Sequence, residues 1–166
     1  GYVVVNVNGT NYTINITNGD YSVVVPGLGY GTWNVTATYI GDDQYLPNTN
    51  KTSFVVNKVD STIAIDVESI DYGNKVNITV TVKDDATGYI TIRINETRNI
   101  TLPIDGGKVN WIVDNLAADN YTVYANYSGD DKYNENKTNK TFEVRQISPE
   151  IEIIRVISTA DENATI

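Results

Sequence analysis

The chain has 166 residues, enough for one ordinary domain or two small ones with buried cores. Its formal net charge of −9 argues against binding to nucleic acid or to anionic membranes, since both need clustered cations. Because the chain contains neither Cys nor His, it has no disulfides, no thiolate or Ser-His-Asp catalysis and no Cys- or His-ligated metal. We expect a protein that is not an enzyme, carries no resident cofactor and does not insert into a membrane through this segment.

The abundant residue types favour β-structure. The chain holds 20 Thr and 12 Tyr beside many Val and Ile, and branched or aromatic side chains pack well on a pleated sheet. Apolar residues alternate with polar ones in Ile90, Ile92 and Ile94, and no ten-residue segment has helical spacing. The fold class is therefore all-β.

The alternation predicts twelve strands, separated by turn signals such as Asn8-Gly9, Asn18-Gly19 and Gly106-Gly107. In chain order they cover residues 2–7, 11–17, 21–25, 32–40, 51–57, 61–68, 76–83, 89–95, 99–103, 108–113, 121–128 and 139–145.

An internal repeat relates the two halves of the chain. Residues 23–56 match residues 111–144 at an offset of 88, and twelve positions recur unchanged. Gly1-Tyr2 matches Gly88-Tyr89 at an offset of 87, so one residue is predicted to be gained near the turn after Ile104. A period near 88 residues suits a seven-stranded β-sandwich and is too long for a leucine-rich or ankyrin repeat.

The repeat divides the chain out of phase. Residues 59–145, here unit two, contain all seven strands A to G. Residues 1–58, unit one, begin at strand C and lack A and B. Residues 146–166 resemble the start of unit two, since Ile151 and Ile153 match Ile63 and Ile65, and Asn163-Ala164-Thr165 matches Asn77-Ile78-Thr79. We predict that they form strand A and part of strand B of a following unit.

Two motifs at equivalent places resemble a known family. They read Leu28-x4-Trp33-Asn34-Val35-Thr36-Ala37-Thr38-Tyr39-Ile40-Gly41-Asp42-Asp43-x-Tyr45 and Leu116-x4-Tyr121-Thr122-Val123-Tyr124-Ala125-Asn126-Tyr127-Ser128-Gly129-Asp130-Asp131-x-Tyr133. The pattern is similar to that of bacterial-type immunoglobulin-like (Ig-like) repeats, which stand in tandem in adhesin-like surface proteins of archaea and bacteria. Unit one departs from it by carrying Trp33 in place of Tyr.

The resemblance implies tandem Ig-like antiparallel β-sandwiches, with seven strands in each complete unit. It also implies a structural repeat in an extracellular stalk or filament at the cell surface. A glycan- or protein-binding Ig-like module is the alternative, and exposed Tyr and Trp side chains would then hold the ligand.

The spacing of Leu116 and Tyr121 suits a tyrosine corner, in which the phenol hydroxyl bonds backbone a few residues upstream and the Leu fills the core. Leu28 and Trp33 take the same places in unit one. The indole of Trp33 offers only an N–H donor, so the same bond need not form there.

Acidic residues cluster in the predicted loops of unit two. The B–C and F–G loops of an Ig-like sandwich lie at one end, near the linker 57–60. Carboxylates that converge there are ligands for a hard cation, which makes a junctional Ca²⁺ site one interpretation. The other is turn chemistry, in which Asp side chains bond their own backbone. The candidates are Asp60, Asp84, Asp85, Asp130 and Asp131.

Asn-x-Ser/Thr motifs occur thirteen times. With 21 Asn and 27 Ser or Thr in 166 residues, a random order would give only about three or four. Because residues i and i+2 of a strand share a face, an outward row of Asn and Thr also produces this motif. The excess of motifs can therefore come either from glycosylation or from the solvent-facing side of the strands. We predict N-glycosylation and hence export, with Asn34, Asn77, Asn120 and Asn126 favoured. The other candidates are Asn8, Asn11, Asn15, Asn50, Asn95, Asn99, Asn136, Asn139 and Asn163.

The out-of-phase division predicts a partner. Without strands A and B, unit one would expose the apolar residues Val3, Val5 and Val7 on one face of its sheet. We therefore expect copies of the chain to join head to tail by strand complementation, or neighbouring repeats of a longer chain to cover that face.

Overall fold

All regular structure is β-sheet in the residues that the computed structural model describes, 1–17 and 20–155. Among these residues, no helix is long and apolar enough to span a membrane. Unit one forms a single four-stranded antiparallel sheet of order β2-β1-β3-β4. Its strands are β1 (Tyr2–Val7), β2 (Thr10–Asn15), β3 (Gly31–Tyr39) and β4 (Asn48–Val56).

Unit two forms two facing sheets, one of order β10-β7-β5 and one of order β6-β12-β11-β8-β9. Strand pairing is antiparallel except between β6 and β12, which run parallel. The strands are β5 (Ala64–Asp66), β6 (Ile70–Asp71), β7 (Val76–Thr81), β8 (Tyr89–Ile94), β9 (Arg98–Pro103), β10 (Lys108–Val113), β11 (Asp119–Tyr127) and β12 (Asn136–Arg145).

The core of unit two lies between these sheets. Since successive side chains of a strand point to opposite faces, the apolar alternation places one row of each strand inside. The three-stranded sheet contributes Val76, Ile78 and Val80, which are fully buried. The five-stranded sheet contributes fully buried Ile90, Ile92, Ile94, Val123, Ala125 and Tyr127. Trp111 is half-buried and packs against this core.

The sheet of unit one reproduces part of unit two strand for strand. β2-β1-β3-β4 corresponds to β9-β8-β11-β12 in order and in register, because Val3 lies opposite Tyr39 as Ile90 lies opposite Tyr127. The predicted place of the extra residue is wrong. The two-residue turn Asn8-Gly9 already becomes the three-residue turn 95–97 in unit two, so the offset changes there and not after Ile104.

The predicted strand at 21–25 is also wrong, since residues 20–30 contain no strand. Its equivalent, β10, pairs only with β7, and unit one has no counterpart of β7. Without a partner, the backbone N–H and C=O groups of these residues have no ladder to join. Of the predicted strand 61–68 only Ala64–Asp66 forms a strand, β5, which pairs with β7. After it the chain crosses to β12 through β6.

Candidate functional sites

Each unit ties the start of a central strand, β3 or β11, to the turn before it. In unit two the Tyr121 hydroxyl donates to the Ala117 carbonyl over 3.0 Å, while Leu116 is buried beside it. In unit one the Trp33 indole N–H donates to the Gly29 carbonyl over the same distance. The two acceptors are equivalent in the repeat. The bond requires only a donor, so the indole N–H takes the place of the phenol hydroxyl, while Leu28 stays half-buried.

The loops that follow β3 and β11 are built around one carboxylate each. Asp130 Oδ1 accepts from the backbone N–H groups of Lys132 and Tyr133, and its Oδ2 accepts from Thr87 N–H. Although burial opposes it, these bonds hold the pKa of Asp130 well below its usual range. Asp42 accepts in the same way from Gln44 and Tyr45, and its pKa is lowered mainly by the hydrogen bond from the Tyr39 hydroxyl and further by these backbone bonds. These contacts are the turn chemistry expected of Asp.

The Tyr that precedes each loop differs in its surroundings. In unit one the Tyr39 hydroxyl donates to Asp42 Oδ2 over 2.5 Å, and this bond is the main cause that raises the pKa of Tyr39 to about 12. In unit two the main cause is burial, which raises the pKa of Tyr127 well above its ordinary value. The same residue is therefore held by a surface contact in one unit and by the core in the other.

Three of the five proposed calcium ligands, Asp60, Asp85 and Asp130, accept hydrogen bonds from neighbouring groups of the protein. Asp60 accepts from the Asn134 side chain, and Asp85 accepts from both the Lys132 ammonium and the Tyr133 hydroxyl. The Lys132 contact is the main cause that lowers the pKa of Asp85. Asp84 and Asp131 are exposed. Within residues 1–17 and 20–155 no group of three acidic side chains is placed to hold a metal, and calcium binding stays a prediction.

The β1–β2 and β8–β9 hairpins each depend on an Asn in the turn, Asn8 or Asn95, which is also the first residue of a glycosylation motif. Asn8 and Asn95 both have a φ of 45°, in the left-handed region that Asn tolerates better than most residues. The Asn95 side chain accepts from Thr122 N–H over 2.9 Å, and Asn8 accepts from Asn34 N–H over 3.1 Å. The Asn8-Gly9 pair indicated the turn in unit one. The sequence did not indicate the hydrogen bond from Asn8 or Asn95 to a strand more than twenty residues away.

Twelve of the thirteen candidate glycosylation sites fall among the described residues, and Asn163 lies outside them. Ten of the twelve are exposed, including Asn34, Asn77, Asn120 and Asn126. Asn95 and Asn136 are half-buried. The Asn136 amide nitrogen, the atom that would carry a glycan, donates to the Ser61 carbonyl over 2.7 Å. Its motif therefore has a structural use.

A shallow depression of about 510 Å³ lies on the outer face of the five-stranded sheet. The Arg93 guanidinium covers the half-exposed ring of Tyr124 there, 4.9 Å from its centre. Three asparagines from glycosylation motifs, Asn99, Asn126 and Asn139, also line it. A glycan on any of them would compete with a ligand for the same space.

The inner face of the unit one sheet lacks the cover that its counterpart has. We call it the uncovered face; it carries Val3, Val5, Val7, Val35, Ala37, Tyr39, Phe54 and Val56. Phe54 is 39% exposed, whereas its equivalent Phe142 is 4% exposed. Tyr45, in the following loop, is 65% exposed against 6% for Tyr133. Only Val7 is buried among the eight residues of this face.

The first and last segments of unit two run side by side in the same direction. At one end Val59 exchanges backbone hydrogen bonds of 2.9 Å with Lys132 and Asn134. Further along, the Ser69 hydroxyl accepts from Glu143 N–H over 2.9 Å. At the other end Arg145 binds the Asp71 carboxylate over 2.8 Å, and its carbonyl accepts from Tyr72 N–H. The two segments are thus tied together from 59 to 72.

Comparison with known proteins agrees with the β-sandwich of unit two. A family model described as a bacterial Ig-like domain (group 3) matches residues 63–145. The fibronectin(III)-like modules of Clostridium thermocellum CbhA are similar in structure, with a TM-score of 0.43 and 15% identity. That match covers 91% of this chain and 82% of the other. A search of curated proteins found no significant match.

Proposed function

The chain belongs to the bacterial Ig-like domain family, group 3, and from this premise we propose that it is a structural repeat of an extracellular, adhesin-like stalk. The proposal assigns it no catalysis. Its supports are the way unit two is connected at its ends, the repeated scaffold contacts and the excess of exposed glycosylation motifs.

The parallel pairing of the terminal segments of unit two is the observation that carries the proposal. Tension in a stalk would enter at the linker before Val59 and leave after Arg145. Because residues 59–72 and β12 run parallel, such a pull shears their hydrogen bonds together and does not open them one at a time. A module joined in this way resists extension.

The side chains that recur between the units serve the backbone in both. The corner donors Trp33 and Tyr121 and the loop carboxylates Asp42 and Asp130 all bind main-chain groups nearby. They are fully used in holding strands and loops in place. Repeated residues that only stabilise their own unit are what we expect of a structural repeat that extends a stalk.

Single-molecule stretching of the chain by its two ends tests the proposal. Rupture of unit two is expected as one event that releases roughly 300 Å of chain, from about 3.6 Å per residue. The variant S69A/R145A removes two side-chain ties between the terminal segments, so its rupture force should fall. The control T91A/R93A removes exposed polar contacts of β8, away from those segments, and should leave the force unchanged.

Rupture at a force no higher than that of strands opened one by one would contradict the proposed role in a stalk. Equal rupture forces for S69A/R145A and for the control T91A/R93A would show that the parallel pairing does not determine the resistance of unit two to stretching.

Export and glycosylation belong to the same proposal. The exposed asparagines Asn34, Asn77, Asn120 and Asn126 project from outer strand positions, where a glycan meets no core residue. The native protein should therefore exceed the 18.3 kDa of the bare chain in an intact mass measurement. A mass equal to the bare chain would refute glycosylation while leaving the mechanical argument in place.

A glycan-binding module is the second candidate, and the depression around Tyr124 favours it. An aromatic ring beside Asn and Arg donors is a surface on which a sugar can stack and hydrogen-bond. Binding of the unglycosylated chain on a glycan array, lost in the Tyr124→Ala variant, would support this function. No binding would leave the structural repeat as the better proposal.

A further inference from the structure

The depression on the outer face of the five-stranded sheet carries positive charge, although the chain as a whole is acidic. The sequence has 21 acidic and 12 basic residues. The residues that line the depression around Tyr124 nevertheless include two bases, Arg93 and Lys137, and no acid. An anion that approaches this face therefore meets local cations, which the net charge of −9 does not reveal.

The strand register fixes how these side chains are arranged. Residues of one row lie directly opposite each other on neighbouring strands, and in order across the sheet they are Asn99, Arg93, Tyr124 and Asn139. Lys137 precedes Asn139 by two residues on β12 and so lies in the next row of the same face. The backbone positions of Arg93 and Lys137 are thus about 12 Å apart, and β11 with Tyr124 runs between them.

Both cations can accept a ligand. Within the part of the chain that the structure describes, Lys137 forms no ion pair. Arg93 Nη1 lies 3.7 Å from Glu96 Oε1, but the Glu96 side chain is 85% exposed. Because such an exposed pair contributes little stability, a carboxylate of a ligand can replace Glu96.

The asparagines around Tyr124 are also available. On the three-stranded sheet the Asn110 amide already donates to the Asn77 side chain over 2.5 Å. By contrast, the side-chain amides of Asn99, Asn126 and Asn139 form no hydrogen bond with any described residue. Each of them can donate to and accept from the hydroxyl groups of a ligand.

Unit one shows that the fold does not require these side chains. Its outer face has the same strand order and register as that of unit two. The residues at the places of Arg93, Tyr124 and Lys137 are Asn6, Thr36 and Thr49. The corner and loop contacts recur in both units, whereas the aromatic ring and the two cations at these places belong to unit two alone. Side chains that the shared fold does not need are available for a function of their own.

We propose that the outer face of unit two binds an acidic polysaccharide, a polymer that contains hexuronic acid residues. The Tyr124 ring stacks on a sugar ring, while Arg93 and Lys137 pair with carboxylates on either side of it. A half-exposed ring surrounded by amides suits a sugar, whereas an acidic peptide would need only the cations. The proposal names the substrate class of the glycan-binding module given above as the second candidate function, and it rests on that function.

Calorimetric titration of the unglycosylated full chain tests the ligand class. The two probes are an oligogalacturonate and the same oligomer with every carboxylate methyl-esterified. The ester keeps the sugar rings and hydroxyl groups and removes only the charge. The acid should bind at least about tenfold more tightly than the ester, since charge-assisted hydrogen bonds are the stronger ones. Added salt should weaken binding of the acid more than binding of the ester.

Three variants test the site. Tyr124→Ala removes the stacking surface and should weaken binding of the acid about tenfold. Lys137→Gln removes one exposed charge and should weaken it up to about fivefold. The control Lys140→Gln removes the same charge from the same strand, where Lys140 lies 3.8 Å from Asp66 and outside the depression. Its affinity should equal that of the wild type.

Equal affinity for the acid and the ester would overturn the proposed class and leave a module for neutral glycans in place. Absence of binding to both oligomers would overturn the inference, and the glycan array then decides whether the module binds another sugar. Equal affinity for polyglutamate would also overturn it, since charge alone would then suffice. Weakening by Lys140→Gln as large as that by Lys137→Gln would contradict the assigned site.

Discussion

Units one and two share four strands in the same order and register, but they differ in what lies over those strands. In unit two a second sheet buries Ile90, Ile92 and Ile94 completely. In unit one the matching Val3 and Val5 stay half-exposed, and only Val7 is buried. The corner bonds and loop carboxylates nevertheless form in both units. The corner and loop hydrogen bonds therefore form without a second sheet, whereas burial of the apolar row requires the strands of that second sheet.

Matched truncation of Phe142 and Phe54 should produce the largest difference between the units. Phe142 is buried and stacks on Tyr121 with ring centres 5.4 Å apart, so Phe142→Ala should cost about 3–5 kcal/mol of the stability of unit two. Phe54→Ala removes a side chain that solvent already reaches and should cost roughly 1 kcal/mol or less in the monomer.

Denaturant unfolding followed by tryptophan fluorescence checks this pair, because Trp33 reports on unit one and Trp111 on unit two. Equal costs at the two positions would mean that unit one buries Phe54 as deeply as unit two buries Phe142.

The loop carboxylates should give an intermediate effect that depends on pH. The pKa of folded Asp130 lies below that of an unfolded Asp, about 3.9, so the unfolded state binds more protons in acid. The stabilisation is therefore complete above about pH 4 and is lost as the pH falls towards the folded pKa. Asp130→Asn should cost about 2 kcal/mol at pH 7 and flatten this dependence.

Thermal unfolding between pH 2 and pH 7 measures the loop effect, with Asp42→Asn as the matched variant. Asp42 has the same direction of pKa shift but lies at the surface, so its variant should change the acid dependence of unit one less. An unchanged pH profile of unit two in Asp130→Asn would contradict the assigned role of this carboxylate.

The corner bonds should give the smallest effect. Tyr121→Phe removes the donor to Ala117 and keeps the ring, which should cost about 1 kcal/mol. Trp33→Phe removes the equivalent donor to Gly29, and we expect a similar loss in unit one because the bond is local. Amide hydrogen exchange in β3 and β11 compares the two. A clear loss in only one unit would show that the corner depends on the covering sheet.

Most strands and their faces were predictable from the sequence, because alternation of apolar and polar residues directly reflects the pleat. The strand at 21–25 was not, since Val23 and Val25 have the pattern of a strand but no neighbour to pair with. The place of the extra residue was missed although Asn11-x-Thr13 already matches Asn99-x-Thr101 at an offset of 88. The strand register then places it in the turn, which has two residues in unit one and three, 95–97, in unit two.

The candidate sites were predictable only in part. The spacing of Leu116 and Tyr121 indicated a corner, and the Gly-Asp-Asp steps indicated loops. The acidic residues near the linker were placed at one end of unit two, but the Lys132 and Tyr133 groups that bind Asp85 come from a loop 47 and 48 residues away. The sequence contains such partners without showing that they meet.

By itself the sequence determined the β-class, the local corners and the acidic loops, because each depends on side chains a few residues apart. It also determined the repeat, because a repeat is a direct comparison of one part of the sequence with another. The tertiary structure alone decided which apolar rows are buried and how the ends of unit two are joined. Those features depend on strands brought together from distant parts of the chain: β7 over β8, and residues 59–72 along β12. Unit one has the same local patterns without the second sheet, which is why its apolar face stays open.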